Sequence, residues 1–245
     1  MRTTNPALST RVLRNVQRDC SGETMTIQGT INKTGLLLLV VFLSGSWVWR
    51  GFFTGSVNVK MWMMIGIFGG LIAALCTIFK KEWAPITAPL YALLEGFALG
   101  GISAIFQKMY PGIVFQAILL TFGTLFCMLA GYKTGVIRVT EKFKAGVMAA
   151  TGAIALFYLI TFIFSLFGVR LPIFYGNGFF SIALSAFVVV IAALNLVLDF
   201  DFIEQGSRMG VAKYMEWYGA FGIMVTLIWL YIEILRLLSK LQSRR

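Results

Sequence analysis

Acidic side chains within long apolar runs are the residues of this sequence with the clearest potential for chemistry. Glu95 stands halfway along one run, Glu233 lies in the outer half of the last, and Asp199 closes the sixth. A charged side chain at the centre of a membrane helix costs on the order of 2.5–3.5 kcal/mol, so these carboxylates should face a partner, water or the protein interior. Carboxylates in such positions can bind protons or cations, and their oxygens suit Ca²⁺.

Helical spacing sorts the acids around the end of the sixth run. Asn195 and Asp199 are i,i+4 and share one helix face, whereas Asp201 points roughly 200° away from Asp199. Because an amide in lipid also needs a partner, Asn195 marks the interior side, and Asp199 is the interior candidate. Asp201 and Glu204 are predicted to form a hydrated acidic rim. The alternative is that they and Glu216 are ordinary interfacial residues.

The two remaining acids differ in their near neighbours along the chain. Glu233 and Arg236 are i,i+3, so they can neutralise each other on one helix face. Glu95 has no basic residue within four positions. A purely structural role is therefore a stronger alternative for Glu233 than for Glu95.

Several chemistries are excluded by residues that the sequence lacks. No histidine is present, which removes histidine metal sites and serine–histidine or cysteine–histidine catalysis. The cysteines Cys20, Cys76 and Cys127 are far apart and predict neither a disulfide framework nor a metal site. No nucleophile–base pair is visible, so we expect no enzyme activity and no cofactor beyond weak Ca²⁺ binding.

The composition is that of a membrane protein. Hydrophobic residues make up 58% of the 245 residues and charged residues only 13%, well below the usual charged share. The net charge of +11 is carried largely by short loops between apolar runs, which is typical of membrane loops and argues against nucleic acid as a partner. We therefore expect an all-α protein whose main partner is the lipid bilayer.

Seven apolar runs, each near the roughly 20 residues that cross a membrane, predict seven transmembrane helices. They cover 35–53, 61–79, 86–106, 112–131, 146–168, 178–199 and 219–239. The predicted organisation is a polar cytoplasmic arm over 1–34, one transmembrane domain over 35–240 and a basic tail over 241–245.

The distribution of Lys and Arg between alternate loops predicts the orientation. With the N-terminus inside, the inner segments carry 13 basic residues and the outer loops four, which favours a cytoplasmic N-terminus. Lys240, Arg244 and Arg245 would then lie outside if the last run spans fully. We expect the full span, and a re-entrant last run with the C-terminus inside is the alternative.

Four short motifs follow one another at characteristic spacings. They are Glu-Gly-Phe-Ala-Leu-Gly-Gly-Ile-Ser at 95–103, Asp-Phe-Asp-Phe-Ile-Glu at 199–204, Trp-Tyr-Gly at 217–219 and Leu-Tyr-Ile-Glu-Ile-Leu-Arg-Leu-Leu at 230–238. In their order and spacing they resemble the Bax inhibitor-1-like family, in particular its bacterial branch. The resemblance implies a seven-helix fold with the last helix central, a bacterial plasma membrane and a pH-dependent calcium leak.

The resemblance also implies a gate. In the family, two aspartates on helices six and seven share a proton and hold the pore closed until deprotonation separates them. Asp199 matches the helix-six aspartate. For helix seven, the Leu-Tyr-x-acid pattern points to Glu233, whereas a gapless match lands near Met224, which cannot titrate. Helices six and seven would run antiparallel, so Asp199 and Glu233 would differ in depth by roughly 20 Å.

We therefore predict that an inner acidic cluster takes the role of the family's pair, with Asp199 beside Asp201, Glu204 or Glu216. Two carboxylates in contact cannot both ionise cheaply, which offers a pH switch without histidine. Glu95 and Glu233 would be stations on the permeation route or partners of Lys60 and Arg236. The predicted route comprises Glu95, Glu233, Asn195 and Arg236. Asp199 and Glu233 would contact Ca²⁺ weakly and transiently.

The expected function is thus a pH-sensitive calcium or cation leak gated by protonation of membrane carboxylates. A proton-coupled transporter also needs such carboxylates and would show saturable, substrate-dependent counterflow. A regulatory protein that binds a membrane protease or another membrane complex would keep its activity after the carboxylates are neutralised. The expected partners are lipid, protons and calcium or other cations, with a membrane protein in the third case.

Overall fold

The computed structural model describes residues 23–168, 176 and 178–244. Within these ranges the chain forms seven long α-helices and one short 3-10 turn at Lys81–Trp83. The helices are α1 (Ile27–Thr54), α2 (Val59–Phe79), α3 (Ala84–Met109), α4 (Ile113–Lys133), α5 (Glu141–Leu166), α6 (Phe179–Met209) and α7 (Met215–Gln242). Each predicted run corresponds to one helix, which confirms the all-α fold.

Side-chain caps fix where three of these helices begin. Thr26, Asn58 and Thr140 each accept a hydrogen bond from a backbone N–H in the first helical turn, which would otherwise lack an acceptor. Thr26 places the start of α1 at Ile27, although the apolar run begins at Gly35. The predicted arm over 1–34 therefore includes the first turns of a helix, and its residues 1–22 lie outside the described ranges.

All seven helices are long and apolar enough to cross a membrane. Half or more of the apolar stretch is buried in α3, α6 and α7, against 17–22% in the other four helices. Large side chains such as Phe42, Phe68, Phe115 and Phe162 are exposed, which suits a lipid solvent and not water. The protein is thus an integral membrane protein, and α7, the helix expected to be central, is the most buried of the described helices.

The helices form two compact units. The first comprises Met1–Met109 and Asp199–Val225, and the second comprises Tyr110–Leu198 and Thr226–Arg245. The division falls inside α6 and α7, so each of these helices contributes residues to both units. The first unit contains the predicted site residues Glu95, Asp199, Asp201, Glu204 and Glu216, and the second contains Asn195, Glu233 and Arg236.

Glycines allow the helices of the first unit to approach closely. A Cβ atom at Gly100 would lie 2.3 Å from the carbonyl oxygen of Gly45, so α1 and α3 touch backbone to backbone. A Cβ atom at Gly66 would lie 2.5 Å from the carbonyl oxygen of Leu94, so α2 and α3 do the same. Small residues at such crossings let membrane helices associate. Helix α3, which carries Glu95, is therefore packed tightly against both α1 and α2.

Candidate functional site

Asp199 lies on α6 in the first unit and is only 4% exposed. The residue of α7 that faces it is Gly222, where a Cβ atom would lie 3.8 Å from Asp199 Oδ1. Met224, near which the gapless match falls, is two residues further on and fully buried. The α7 position opposite Asp199 therefore carries no acid.

Glu216, at the start of α7, is fully buried in the first unit, and both of its carboxylate oxygens have polar partners. Its Oε1 accepts hydrogen bonds from the backbone N–H of Thr26 at 2.9 Å and from the Thr26 hydroxyl at 2.8 Å. Its Oε2 forms an ion pair with the ammonium group of Lys33 on α1. These are its partners among the described residues.

The pairing of Glu216 with Asp199, one of the three predicted options, therefore does not form. Glu216 precedes Gly222, the residue opposite Asp199, by six positions, which is about 9 Å of helix rise. Its carboxylate instead meets the beginning of α1, where Thr26 donates and Lys33 supplies the counter-charge. Glu216 is thus neutralised by a base and does not share a proton with a second acid.

Backbone hydrogen bonds join the same part of the chain to the turn between α6 and α7. The N–H of Met25 donates to the carbonyl of Val211 at 2.8 Å. Thr24 forms an isolated antiparallel bridge with Ala212. Backbone hydrogen bonds therefore hold the residues just before α1 against the turn that leads into α7. We call this contact, together with the Glu216–Lys33 ion pair, the junction between α1 and α7.

Lys33 has a second contact that reinforces this junction. Its ammonium group lies 5.5 Å from the centre of the Trp217 ring, a cation–π distance. Sequence reasoning missed the junction because it assigned Thr26 and Lys33 to a polar arm. The available signal was Thr26 itself, a favoured N-cap residue.

Asp201 and Glu204 bond to side chains one turn further along α6. Gln205 donates to Asp201, and Arg208 forms an ion pair with Glu204. The Glu204 side chain is 31% exposed and that of Arg208 is 77% exposed. This position at the end of α6 agrees with the interfacial alternative for these acids.

Glu233 lies on α7 in the second unit and is 1% exposed. Its Oε1 accepts hydrogen bonds from the Tyr158 hydroxyl on α5 at 2.7 Å and from the Arg236 guanidinium at 3.0 Å. Arg236 also donates to the Tyr158 hydroxyl at 3.0 Å, so the three groups close a ring. The Glu233–Arg236 pair that the spacing allows is present, and no sequence signal marked Tyr158 as its third member.

Two further polar groups of the second unit are held by neighbouring helices. Asn195 donates to the Thr151 hydroxyl on α5 and to the Ile191 carbonyl, both at 2.8 Å. Lys240 is 6% exposed and donates to the Ser185 hydroxyl at 2.8 Å. Lys240 is thus a buried residue of α7, whereas the charge count grouped it with Arg244 and Arg245 on the outside.

Glu95 is the twelfth of the 26 residues of α3 and is half-buried. Its carboxylate lies against α2 at Gly70, where a Cβ atom would come within 2.7 Å of Oε2. Among the described residues, Glu95 has neither a salt bridge nor a hydrogen bond to its carboxylate. The pairing with Lys60 is therefore wrong, because Lys60 is exposed near the start of α2.

The arrangement of acids bears on calcium as well. In the described part of the chain, no three acidic, cysteine or histidine side chains come together as metal ligands. A tight calcium site uses about six to eight oxygens. Weak contacts at Asp199 and Glu233, which lie in different units, stay a prediction.

Comparison with known proteins extends the likeness beyond the four motifs. A family model described as Bax inhibitor 1 like matches residues 5–243, nearly the whole chain. No curated protein and no solved structure matches the sequence. The matched range includes Asp199 and every other predicted site residue.

Proposed function

The chain belongs to the Bax inhibitor 1 like family, and on that premise we propose that this integral membrane protein is a pH-sensitive leak for calcium or other cations. The observation that carries the proposal is the position of Asp199, a buried carboxyl group of α6 that faces a glycine of α7. A carboxyl group can gain or lose a proton, so the pH changes the charge at this helix contact.

The proton on Asp199 decides whether α6 and α7 stay packed at Gly222. A neutral carboxyl group is tolerated in apolar surroundings, whereas an ionised one is costly unless water, a cation or a donor reaches it. Gly222 brings no side chain to this contact, so ionisation of Asp199 draws water or a cation into the space beside the glycine. Raising the pH therefore favours a hydrated, conducting arrangement, and cation flux should rise with pH.

This switch differs from the pair of aspartates that the resemblance implies. Helix α7 supplies Gly222 where a second acid is expected, and Glu216 is occupied by Lys33. One carboxyl group can still act as a switch, because its transfer from water into the protein interior makes ionisation costly by itself. In this chain the proposed switch therefore depends on the burial of Asp199 and not on a paired acid of α7.

Three further features belong to the same proposal. The N-terminus is cytoplasmic and the membrane is a bacterial plasma membrane, which the loop charges and the family resemblance support. Calcium contacts the carboxylates Asp199 and Glu233 only weakly, which suits a leak because a passing ion must also leave. The protein needs no cofactor and catalyses no reaction.

Calcium flux into liposomes that contain the purified protein tests the proposal. Between about pH 6 and about pH 8, we expect flux above that of empty liposomes and an increase with pH. Asp199→Asn should flatten the pH dependence, because its amide cannot ionise. Asp201→Asn makes the same chemical change on the same helix and should keep the parent's dependence.

Each other outcome has a defined meaning. Equal flux in protein-containing and empty liposomes would contradict a leak. Saturable flux that depends on a second solute would identify a proton-coupled transporter instead. Equal pH dependence in the parent and Asp199→Asn would show that Asp199 is not the switch.

A further inference from the structure

We propose that Glu95 is a separate proton-binding site in the middle of the membrane, formed where α3 packs against the glycine face of α2. The proposal concerns the protonation of one carboxyl group and does not depend on ion conduction. The ligand of this site is a proton, and the residue that makes room for it is Gly70 of α2.

The depth of Glu95 follows from its place in α3. It lies near the midpoint of a 26-residue helix that is long and apolar enough to span the membrane. Lys108 is the other charged residue of α3, and it lies in the last turn. A carboxyl group at this depth is far from bulk water along its own helix, so its charge has to be balanced locally or removed by a proton.

The space that receives the carboxyl group is made by α2. At Gly70 a Cβ atom would come within 2.7 Å of Glu95 Oε2, closer than real Cβ atoms approach a neighbour. One turn earlier, Gly66 lets the backbones meet, since a Cβ atom there would lie 2.5 Å from the Leu94 carbonyl oxygen. The carboxyl group thus occupies the volume that a side chain at position 70 would fill.

The groups around Glu95 offer it no counter-charge. Tyr91, one turn before it on α3, also lines the Gly70 position, and the tyrosine ring packs edge-on against Phe221 of α7 at 5.1 Å. The α2 residues that can ionise, Lys60 and Cys76, lie ten and six positions from Gly70. Neither forms an ion pair or hydrogen bond with Glu95 within the described ranges.

The described side chains that α1 and α6 bring to this region include no base. From α1, Ser44 packs at Gly96, beside Glu95, and its hydroxyl donates to the Val40 carbonyl at 2.8 Å. From α6, Asp199 is the acid that faces Gly222, the residue after Phe221. No base of the described chain therefore meets the Glu95 carboxylate.

A proton is the ligand that fits these surroundings. An ionised acid at mid-membrane is costly, and protonation removes that cost. A calcium ion would need several more oxygen ligands than the Tyr91 hydroxyl and the nearby glycine backbone could supply. Glu95 therefore binds and releases a proton, and Gly70 is the positioning residue that makes room for it.

Infrared difference spectra of the reconstituted protein, recorded against pH, test the assignment. We expect the carbonyl band of a protonated carboxyl group to disappear as the pH rises, to be lost in Glu95→Gln and to remain in Asp199→Asn. A spectrum unchanged by Glu95→Gln would overturn the proposal. So would a Glu95 band that persists at every pH, because it would show a fixed neutral acid and not a site that exchanges protons.

Gly70→Ala supplies a second test that keeps Glu95 in place. The added Cβ displaces the carboxyl group, so the pH at which its band disappears should shift by on the order of one unit. Gly69→Ala is the matched control, because its Cβ would meet the apolar end of Leu94 at 3.2 Å and not the acid. Equal shifts in the two variants would contradict the role given to Gly70.

A membrane-permeant carbodiimide gives an independent readout by mass spectrometry. The reagent adds whole to a protonated carboxyl group, whose proton moves to a reagent nitrogen as the new C–O bond forms. We expect modification of Glu95 that declines as the pH rises, and none at Glu233, which is ion-paired with Arg236. If the infrared band and the modification are present but liposomes show no calcium flux, the leak fails and this site stands.

Discussion

Four acids at helix contacts fall into two kinds, which differ in what their carboxylates meet. Glu216 and Glu233 each meet a base, Lys33 in the first unit and Arg236 in the second, together with hydroxyl donors. Asp199 and Glu95 each face a glycine of a neighbouring helix, and at the Glu95 contact the missing side chain also makes room for the carboxyl group. The two glycines are Gly222 on α7 and Gly70 on α2.

The difference lies in what a proton changes at each kind of site. A paired acid is already neutralised, and removing its charge leaves a buried base without its partner. A glycine-facing acid meets no side chain at the glycine position, so we expect a change in pH to alter the charge there directly. We therefore expect the paired acids to hold the fold together and the glycine-facing acids to respond to pH.

The largest expected effect is on the junction between α1 and α7. Glu216→Gln leaves Lys33 largely buried without a counter-charge and should lower the free energy of unfolding by about 3–5 kcal/mol. Thermal unfolding in detergent measures the loss. Glu204→Gln, which breaks the exposed pair with Arg208, is the control and should cost about 0–1 kcal/mol. Equal losses in the two variants would show that burial does not set the strength of these pairs.

The paired acid of the second unit should matter less. In Glu233→Gln the Tyr158 hydroxyl can still bond the amide oxygen, and Arg236 keeps both Tyr158 and partial exposure. A loss of about 1–3 kcal/mol is expected, and Tyr158→Phe should cost about 0.5–1.5 kcal/mol. Thermal unfolding in detergent measures the loss of stability in both variants. A greater loss in Tyr158→Phe than in Glu233→Gln would contradict this ranking.

The next effect is a shift in the pH dependence of calcium flux, expected when an acid is placed opposite Asp199. Gly222→Asp brings a second carboxyl group to the Asp199 contact, and two facing carboxylates cannot both ionise cheaply. The pair should hold one proton to a higher pH, so the midpoint of calcium flux should move upward by on the order of one pH unit. Gly222→Asn has nearly the same shape and should leave the midpoint in place. A flux midpoint at lower pH in Gly222→Asp than in the parent would contradict the predicted direction of the shift.

The smallest effect is expected for Gly222→Ala. Its Cβ would lie 3.8 Å from Asp199 Oδ1, an ordinary contact, and alanine favours a helix over glycine by roughly 0.5–1 kcal/mol. The variant should unfold at the same or a slightly higher temperature than the parent. A clear loss of stability would mean that the contact between α6 and α7 is closer than the structure indicates.

The helices and the interior acids could be predicted from the sequence, because both depend on local pattern. The seven apolar runs gave the seven helices, since length and composition decide whether a segment can span a bilayer. The start of α1 was placed too late because the hydrophobic pattern begins at Gly35, whereas the helix extends back to its cap at Thr26. Caps set helix ends, and they do not need apolar neighbours.

The partners of the acids could not be predicted in the same way. The pair of Glu233 with Arg236 is local to one helix, so its spacing revealed it. The contacts of Glu216 with Lys33 and of Asp199 with Gly222 join residues distant in sequence. They depend on the register in which helices pack, and the spacing of residues along one helix does not reveal which residue of another helix lies opposite.

The most direct test of the account compares one acid of each kind in a single assay. Asp199→Asn and Glu233→Gln are reconstituted side by side with the parent, at a temperature where both remain folded, and calcium flux is followed from about pH 6 to about pH 8. We predict that Asp199→Asn loses the rise of flux with pH, while Glu233→Gln keeps the parent's midpoint. A flattened profile in Glu233→Gln together with a normal one in Asp199→Asn would contradict the division between paired and glycine-facing acids.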